Sequence, residues 1–128
     1  MHVDGGARGN PGPAAAGAVV SASDGTVLDE ASALLGEMTN NAAEYHGLLL
    51  GLERARALGA TEVEVVNDSE LVARQVTGVY KVKHAGMRPL HARALAVLEG
   101  FDTWSIRSVP REQNARADAL VNGALDAA

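Results

Sequence analysis

TEVEVVNDSELVARQ, residues 61–75, passes from one kind of structure to another within fifteen residues. Its first half is a β-branched run that reads as a strand ending at Asp68. Ser69 then suits the N-cap of a short helix running to about Thr77, where Gly78 breaks it. A strand is thus delivered straight into a helix, with a carboxylate at the junction. The flanking sequence extends the pattern in both directions.

Upstream, TNNAAEYHGLLLGLERARALGA predicts a helix opened by Asn40 or Asn41 and closed by Gly59, with Leu48, Leu52, Ala55 and Leu58 on one stripe. Before it, Ala16–Ser23 and Thr26–Leu35 flank Asp24-Gly25, a hairpin turn signal. Residues 1–4 form a stub of strand, followed by a glycine- and proline-rich loop, GGARGNPGP. Downstream, Pro89 sits in the first turn of a helix through Glu99, WSIRSV is a fifth strand, and a last helix starts at about Ala115. The order predicts one domain over 1–128: a mixed five-stranded sheet, its first three strands antiparallel and its last two parallel to the first, covered by helices on both faces.

Composition bounds the function. A 47% hydrophobic and 21% charged chain is ordinary for a globular protein, and with one Phe, two Tyr and one Trp its core is mostly aliphatic. There is no Cys, so thiolate metal sites and disulfides are excluded. No stretch reads as a signal peptide or a membrane span, which gives a cytoplasmic expectation with no membrane partner. The net charge of −5 argues against a general nucleic-acid binder. It hides an asymmetry, however. Leu71–Leu98 has no acid and carries Arg74, Lys81, Lys83, Arg88 and Arg93, while the rest holds six basic and sixteen acidic residues, a net of −10. Such a segment is either a solvated face or a polyanion contact beside an acidic site.

Four acids fall at element ends. Asp4 closes the first strand, Asp68 the fourth, and Glu44 and Asp118 lie in the first turns of helices. If strands one and four are parallel neighbours, Asp4 and Asp68 emerge together at the carboxyl edge, where open α/β sheets place their sites. Three of the acids also have a plain structural reading. Glu44 follows Asn41 at capping-box spacing, Asp118 complements a helix dipole, and Asp68 can cap a helix. Asp4 lacks such a reading, since a carboxylate on a central strand needs partners or water. Four acids at one edge would repel unless cations were present, and Mg²⁺ suits an all-oxygen donor set.

DGGARGNPGP, TNNAAEYHGLLLGL, NDSELVARQ and VPREQNARADALVN, in that order, resemble the four signature blocks of ribonuclease H type 1. The resemblance spans nearly the whole chain. It implies the ribonuclease H-like fold and an endonuclease that cuts the RNA strand of an RNA–DNA hybrid with two divalent ions, Mg²⁺ or in its place Mn²⁺, leaving 3′-hydroxyl and 5′-phosphate ends. Asp4, Glu44, Asp68 and Asp118 are then the catalytic metal ligands. Gly5 and Gly6 let backbone approach the minor groove of the hybrid, where a 2′-hydroxyl marks RNA. Asn10, Asn40 and Asn41 hydrogen-bond the substrate there, and Lys81 and Lys83 bind its phosphates. A monomer without an obligate protein partner is expected.

The chain departs from the family pattern in three places. Its first strand is short, so its start is either abrupt or incomplete. The long basic protrusion of some members is missing, with RQVTGVYKVKHAGMRPLHAR taking part of its role. The loop before Asp118 has no histidine; Arg111 is the first cation there and is assigned electrostatic assistance at the scissile phosphate. Glu70 stands where many members carry a neutral polar residue. Two other classes compete: a hybrid-binding module without catalysis, and a superfamily nuclease acting on DNA.

Overall fold

A computed structural model describes residues 1–128. Strands β1 (His2–Ala7), β2 (Gly12–Ser21) and β3 (Val27–Met38) lead to helix α1 (Asn40–Ala57). Strand β4 (Glu62–Asn67), helices α2 (Glu70–Val76) and α3 (Arg88–Leu98), strand β5 (Thr103–Ser108), a 3₁₀ turn at Arg111–Asn114 and helix α4 (Ala115–Ala127) follow. The sheet order is β3-β2-β1-β4-β5. β1 pairs antiparallel with β2 and β2 with β3, whereas β1 with β4 and β4 with β5 are parallel, as the element order predicts.

The two faces are covered unequally. On one, α1 to α3 enclose a cluster of 19 buried residues that includes Val3, Tyr45, Leu48, Leu52, Val65, Val72 and Leu98. On the other, α4 lies over β1 and β2, with Val121 and Leu125 packed against Ala15. Small residues let both helices come close. A Cβ on Gly17 would lie 2.8 Å from the Ala117 carbonyl oxygen of α4, and one on Gly47 would lie 2.3 Å from the Asp4 carbonyl oxygen of β1.

Several expected boundaries move. β1 is not a four-residue stub: it continues to Ala7, because Gly5, Gly6 and Ala7 pair with Ala16, Ala15 and Ala14. Asp4 therefore lies inside the strand. The glycine- and proline-rich stretch is mostly two strands, with only residues 8–11 turning between them. α1 is capped by Thr39, whose hydroxyl accepts from the Ala42 N–H at 3.2 Å, and not by Asn40 or Asn41. This puts Glu44 past the first turn and removes its capping-box reading. Leu58, expected on the buried stripe, is 49% exposed because the helix ends at Ala57 and Gly59, at φ +82°, turns the chain away.

Candidate active site

Three elements bring carboxylates together. Asp4 is held at the middle of β1 and is 4% exposed. Asp68 follows the end of β4. Glu44 is delivered from α1, which lies on the backbone of β1 because Gly5 and Gly47 carry no side chain at the crossing; a Cβ on Gly5 would overlap the Ala43 carbonyl. One carboxylate oxygen from each of Asp4, Glu44 and Asp68 lies within 4.8 Å of the others. Asp118, in the first turn of α4, lines the same cavity but stands outside this trio. Its Oδ1 accepts from Arg111 Nη2 at 3.1 Å and its Oδ2 from Asn122 Nδ2 at 3.3 Å.

The cavity, of about 390 Å³, is lined by these four acids, Gly5, Gly6, Ala7, Arg8, Asn40, Arg111 and Asn122 among others. Its electrostatics are those of crowded like charges. Burial first, then the neighbouring Asp68, pushes the Asp4 carboxyl up to about 7. Burial and the charges of Asp4 and Asp68 push Glu44 up as well. Glu44 Oε2 is buried without a partner. An all-oxygen donor set, a buried oxygen without a donor and carboxyls that hold protons in the absence of a counter-charge together fit a hard divalent cation. The Asp118 carboxylate in turn holds the Arg111 guanidinium in its charged form.

The other sequence-predicted residues fall in two places. Asn40 lines the cavity and Asn10 is bonded to it: the Asn40 side-chain oxygen accepts from Ala7 N–H at 2.8 Å and the Asn10 oxygen from Asn40 N–H at 3.1 Å. The two amide oxygens fasten the end of β1 and the 8–11 turn to the start of α1, and their amide nitrogens make no hydrogen bond within the chain. Asn41 is exposed beside them. Lys81 and Lys83 are exposed on the segment between α2 and α3, outside the carboxylate cavity. That segment is fixed at both ends. Arg74 stacks over the Tyr80 ring at 5.4 Å, and Arg88 donates to the carbonyls of Val82 and Lys83. Glu70 is accounted for by its 2.7 Å ion pair with Arg74.

Sequence reasoning missed Asn114. It is 1% exposed, and its Nδ2 donates to the Val3 carbonyl at 2.8 Å, next to Asp4. Its position one turn before Asp118 was the only signal available.

The chain is similar to known proteins over nearly its whole length. The family described as Reverse transcriptase-like matches residues 2–124. Ribonuclease HI of Halobacterium salinarum is 46% identical over 98% of the chain, which spans 63% of that protein. A bifunctional protein of Mycobacterium tuberculosis is 49% identical over the whole chain, which spans 35% of it. The chain thus covers less than two thirds of either relative. Among solved structures, LC11-RNase H1 in complex with an RNA/DNA hybrid superposes with a TM-score of 0.93 at 45% identity, covering 98% of this chain and 94% of that one.

Proposed function

The chain belongs to the ribonuclease H type 1 family, and from that premise we propose that it is a metal-dependent endonuclease that hydrolyses the RNA strand of RNA–DNA hybrids to 3′-hydroxyl and 5′-phosphate ends. The observation that carries the reading is the convergence of Asp4, Glu44 and Asp68 within 4.8 Å in one cavity. The solved hybrid complex of a relative supports the substrate class.

Asp4, Glu44 and Asp68 would hold divalent cations, with Asp118 completing the set on the α4 side. Two such ions, when bound, supply activation of the attacking water and stabilisation of the leaving oxygen. Mg²⁺ is the proposed metal, with Mn²⁺ able to replace it. The residues of the chain do the positioning. Asp4, buried beside the other two acids of the trio, would hold cations together with them. Gly5 and Gly6 offer their backbone to the substrate at the cavity wall, while Asn10, Asn40 and Asn41 present amide nitrogens to the minor groove, where the 2′-hydroxyl distinguishes RNA. Lys81 and Lys83 bind phosphates away from the scissile bond. Arg111, already at the rim of the cavity, adds positive charge near the reacting phosphate.

No helix is long and apolar enough to cross a membrane; action in the cytoplasm as a monomer is part of the proposal. Labelled RNA–DNA hybrid, double-stranded RNA and double-stranded DNA, each incubated with Mg²⁺, Mn²⁺ or chelator, test it. Cleavage of the hybrid's RNA strand only with metal is the expected result. Hybrid retention without cleavage would instead favour a binding module, and cleavage of DNA another nuclease of the superfamily.

A further inference from the structure

β1 and β4 form a fork. They pair at His2 with Val66, and the Val66 N–H donates to the Met1 carbonyl at 2.8 Å. One more step of this parallel ladder would set Asp4 opposite Asp68 and send the Asp68 N–H to the Val3 carbonyl. That step is not taken. The Val3 carbonyl instead accepts from Asn114 Nδ2 at 2.8 Å, from the junction of the 3₁₀ turn and α4. Beyond the fork β4 ends, and the Asn67 carbonyl accepts from Val109 N–H, leading out of β5.

The Asn114 side chain does not cap α4, and its Oδ1 is buried with no partner. A buried amide that makes one hydrogen bond and leaves its oxygen without a partner in the chain is a poor device for stability, because the orphan oxygen costs about what the hydrogen bond contributes. Its placement fits another purpose. Asn114 occupies the position where the ladder would continue, so it holds Asp4 and Asp68 from closing into direct strand neighbours. It also fixes the start of α4, one turn from Asp118, to the residue preceding Asp4. We propose that Asn114 is a positioning residue that wedges the β1–β4 fork and sets the spacing of the carboxylates for cations. This rests on the metal-binding reading of the cluster and adds to it a residue that contacts neither metal nor substrate.

The test uses Mn²⁺ titration of the metal-free chain by calorimetry, alongside steady-state hybrid cleavage. Loss of a residue that orients metal ligands typically costs 10- to 100-fold in metal affinity or activity. Asn114→Ala is therefore expected to weaken Mn²⁺ binding about tenfold or more and to lower kcat comparably, with KM for the hybrid within about twofold. Phe101→Leu, a core change remote from the fork, serves as the stability control. It should lower Tm while leaving Mn²⁺ affinity and kcat at the parent's values. Parental Mn²⁺ affinity in Asn114→Ala overturns the proposal, as does an equal loss in Phe101→Leu. Should Asn114→Ala not melt cooperatively, Asn114→Ser takes its place; failure of both to fold would make the amide a folding requirement and also overturn the positioning role. A parent that binds Mn²⁺ but leaves hybrids intact defeats the nuclease reading alone, and the Mn²⁺ comparison then decides the role of Asn114. A parent that binds no Mn²⁺ defeats both.

Discussion

Asp4 is buried beside two other acids, so its charge is costly in the folded chain. Its folded carboxyl, pushed up to about 7 from an ordinary 3.8, keeps a proton that the unfolded chain has already released. The stabilising difference is fully present below about pH 4, is lost as pH rises toward 7, and is gone above it. Asp4→Asn removes that loss. In chelator, denaturant melts of parent and Asp4→Asn should diverge between pH 4 and pH 7 in favour of the variant, by on the order of 2–4 kcal/mol as an upper range. Divalent metal should reverse the order by stabilising only the parent, and hybrid cleavage by the variant should vanish. Parallel curves across that pH range would show that Asp4 is ionised and compensated in the metal-free chain. Arg111 presents the opposite case. Its side chain is 72% exposed, so the pair with Asp118 adds little to stability. Its contribution, if catalytic, is electrostatic: Arg111→Ala should lower single-turnover cleavage ten- to a hundred-fold, roughly 1.4–2.7 kcal/mol of barrier, with Arg111→Lys recovering part. An unchanged single-turnover rate at saturating metal would leave the arginine as a tether for Asp118 alone.

At the scale of elements, the glycines decide whether the site exists. Gly47 lies in the interior of α1, where alanine would ordinarily favour the helix by up to about 1 kcal/mol. Here the added methyl would meet the Asp4 carbonyl oxygen at 2.3 Å, backbone against backbone, so α1 must move off β1 and take Glu44 with it. Gly47→Ala is expected to destabilise by about 1–3 kcal/mol and to abolish most cleavage. Gly123→Ala, in α4 with nothing within 4 Å of the new methyl, should gain roughly 0.5–1 kcal/mol and cleave normally. Equal signs for the two in thermal melts would refute the close-packing account. The contrast also marks what a linear reading can see. Element order, strand directions and the hairpin at Asp24-Gly25 were legible, because each rests on local periodicity or turn chemistry. The extent of β1 and β2 was not. Gly5 and Gly6 have the composition of a loop, and only pairing with Ala16 and Ala15 makes them strand. The cap of α1 was misplaced by one or two residues because Thr39, Asn40 and Asn41 are all competent caps. The four acids could be picked out by their expected places at element ends and by resemblance, yet Asp4 lies inside β1 and Glu44 past the first turn of α1, and the separation of Asp118 from the trio depends on how α4 docks through Gly17, which no local pattern records.

For the whole molecule, charge is divided as the proposed chemistry requires. The acid cavity repels a polyanion until cations fill it, while the segment between α2 and α3 carries Lys81 and Lys83 into solvent with no acidic partner from Leu71 to Leu98. Arg74 and Arg88 are partly committed, the first to Glu70 and Tyr80 and the second to backbone carbonyls, so the two lysines are the segment's free charges at its exposed tip. Neither lysine lines the acid cavity, so they take no part at the reacting bond and would hold ground state and transition state alike. Lys81→Glu combined with Lys83→Glu should therefore raise KM for the hybrid several-fold and leave kcat nearly unchanged. The salt dependence supplies an independent reading. Each phosphate contact adds a slope of about −0.9 to log affinity against log salt on B-form duplex, so the double variant should show a slope flatter by roughly one to two. Measuring KM across a salt series separates the possibilities, because a general loss of stability would lower kcat and leave the slope alone. If KM and slope both match the parent, these lysines are a solvated surface and the hybrid must be held elsewhere, with the cavity rim around Arg8, Asn40 and Arg111 as the remaining contact.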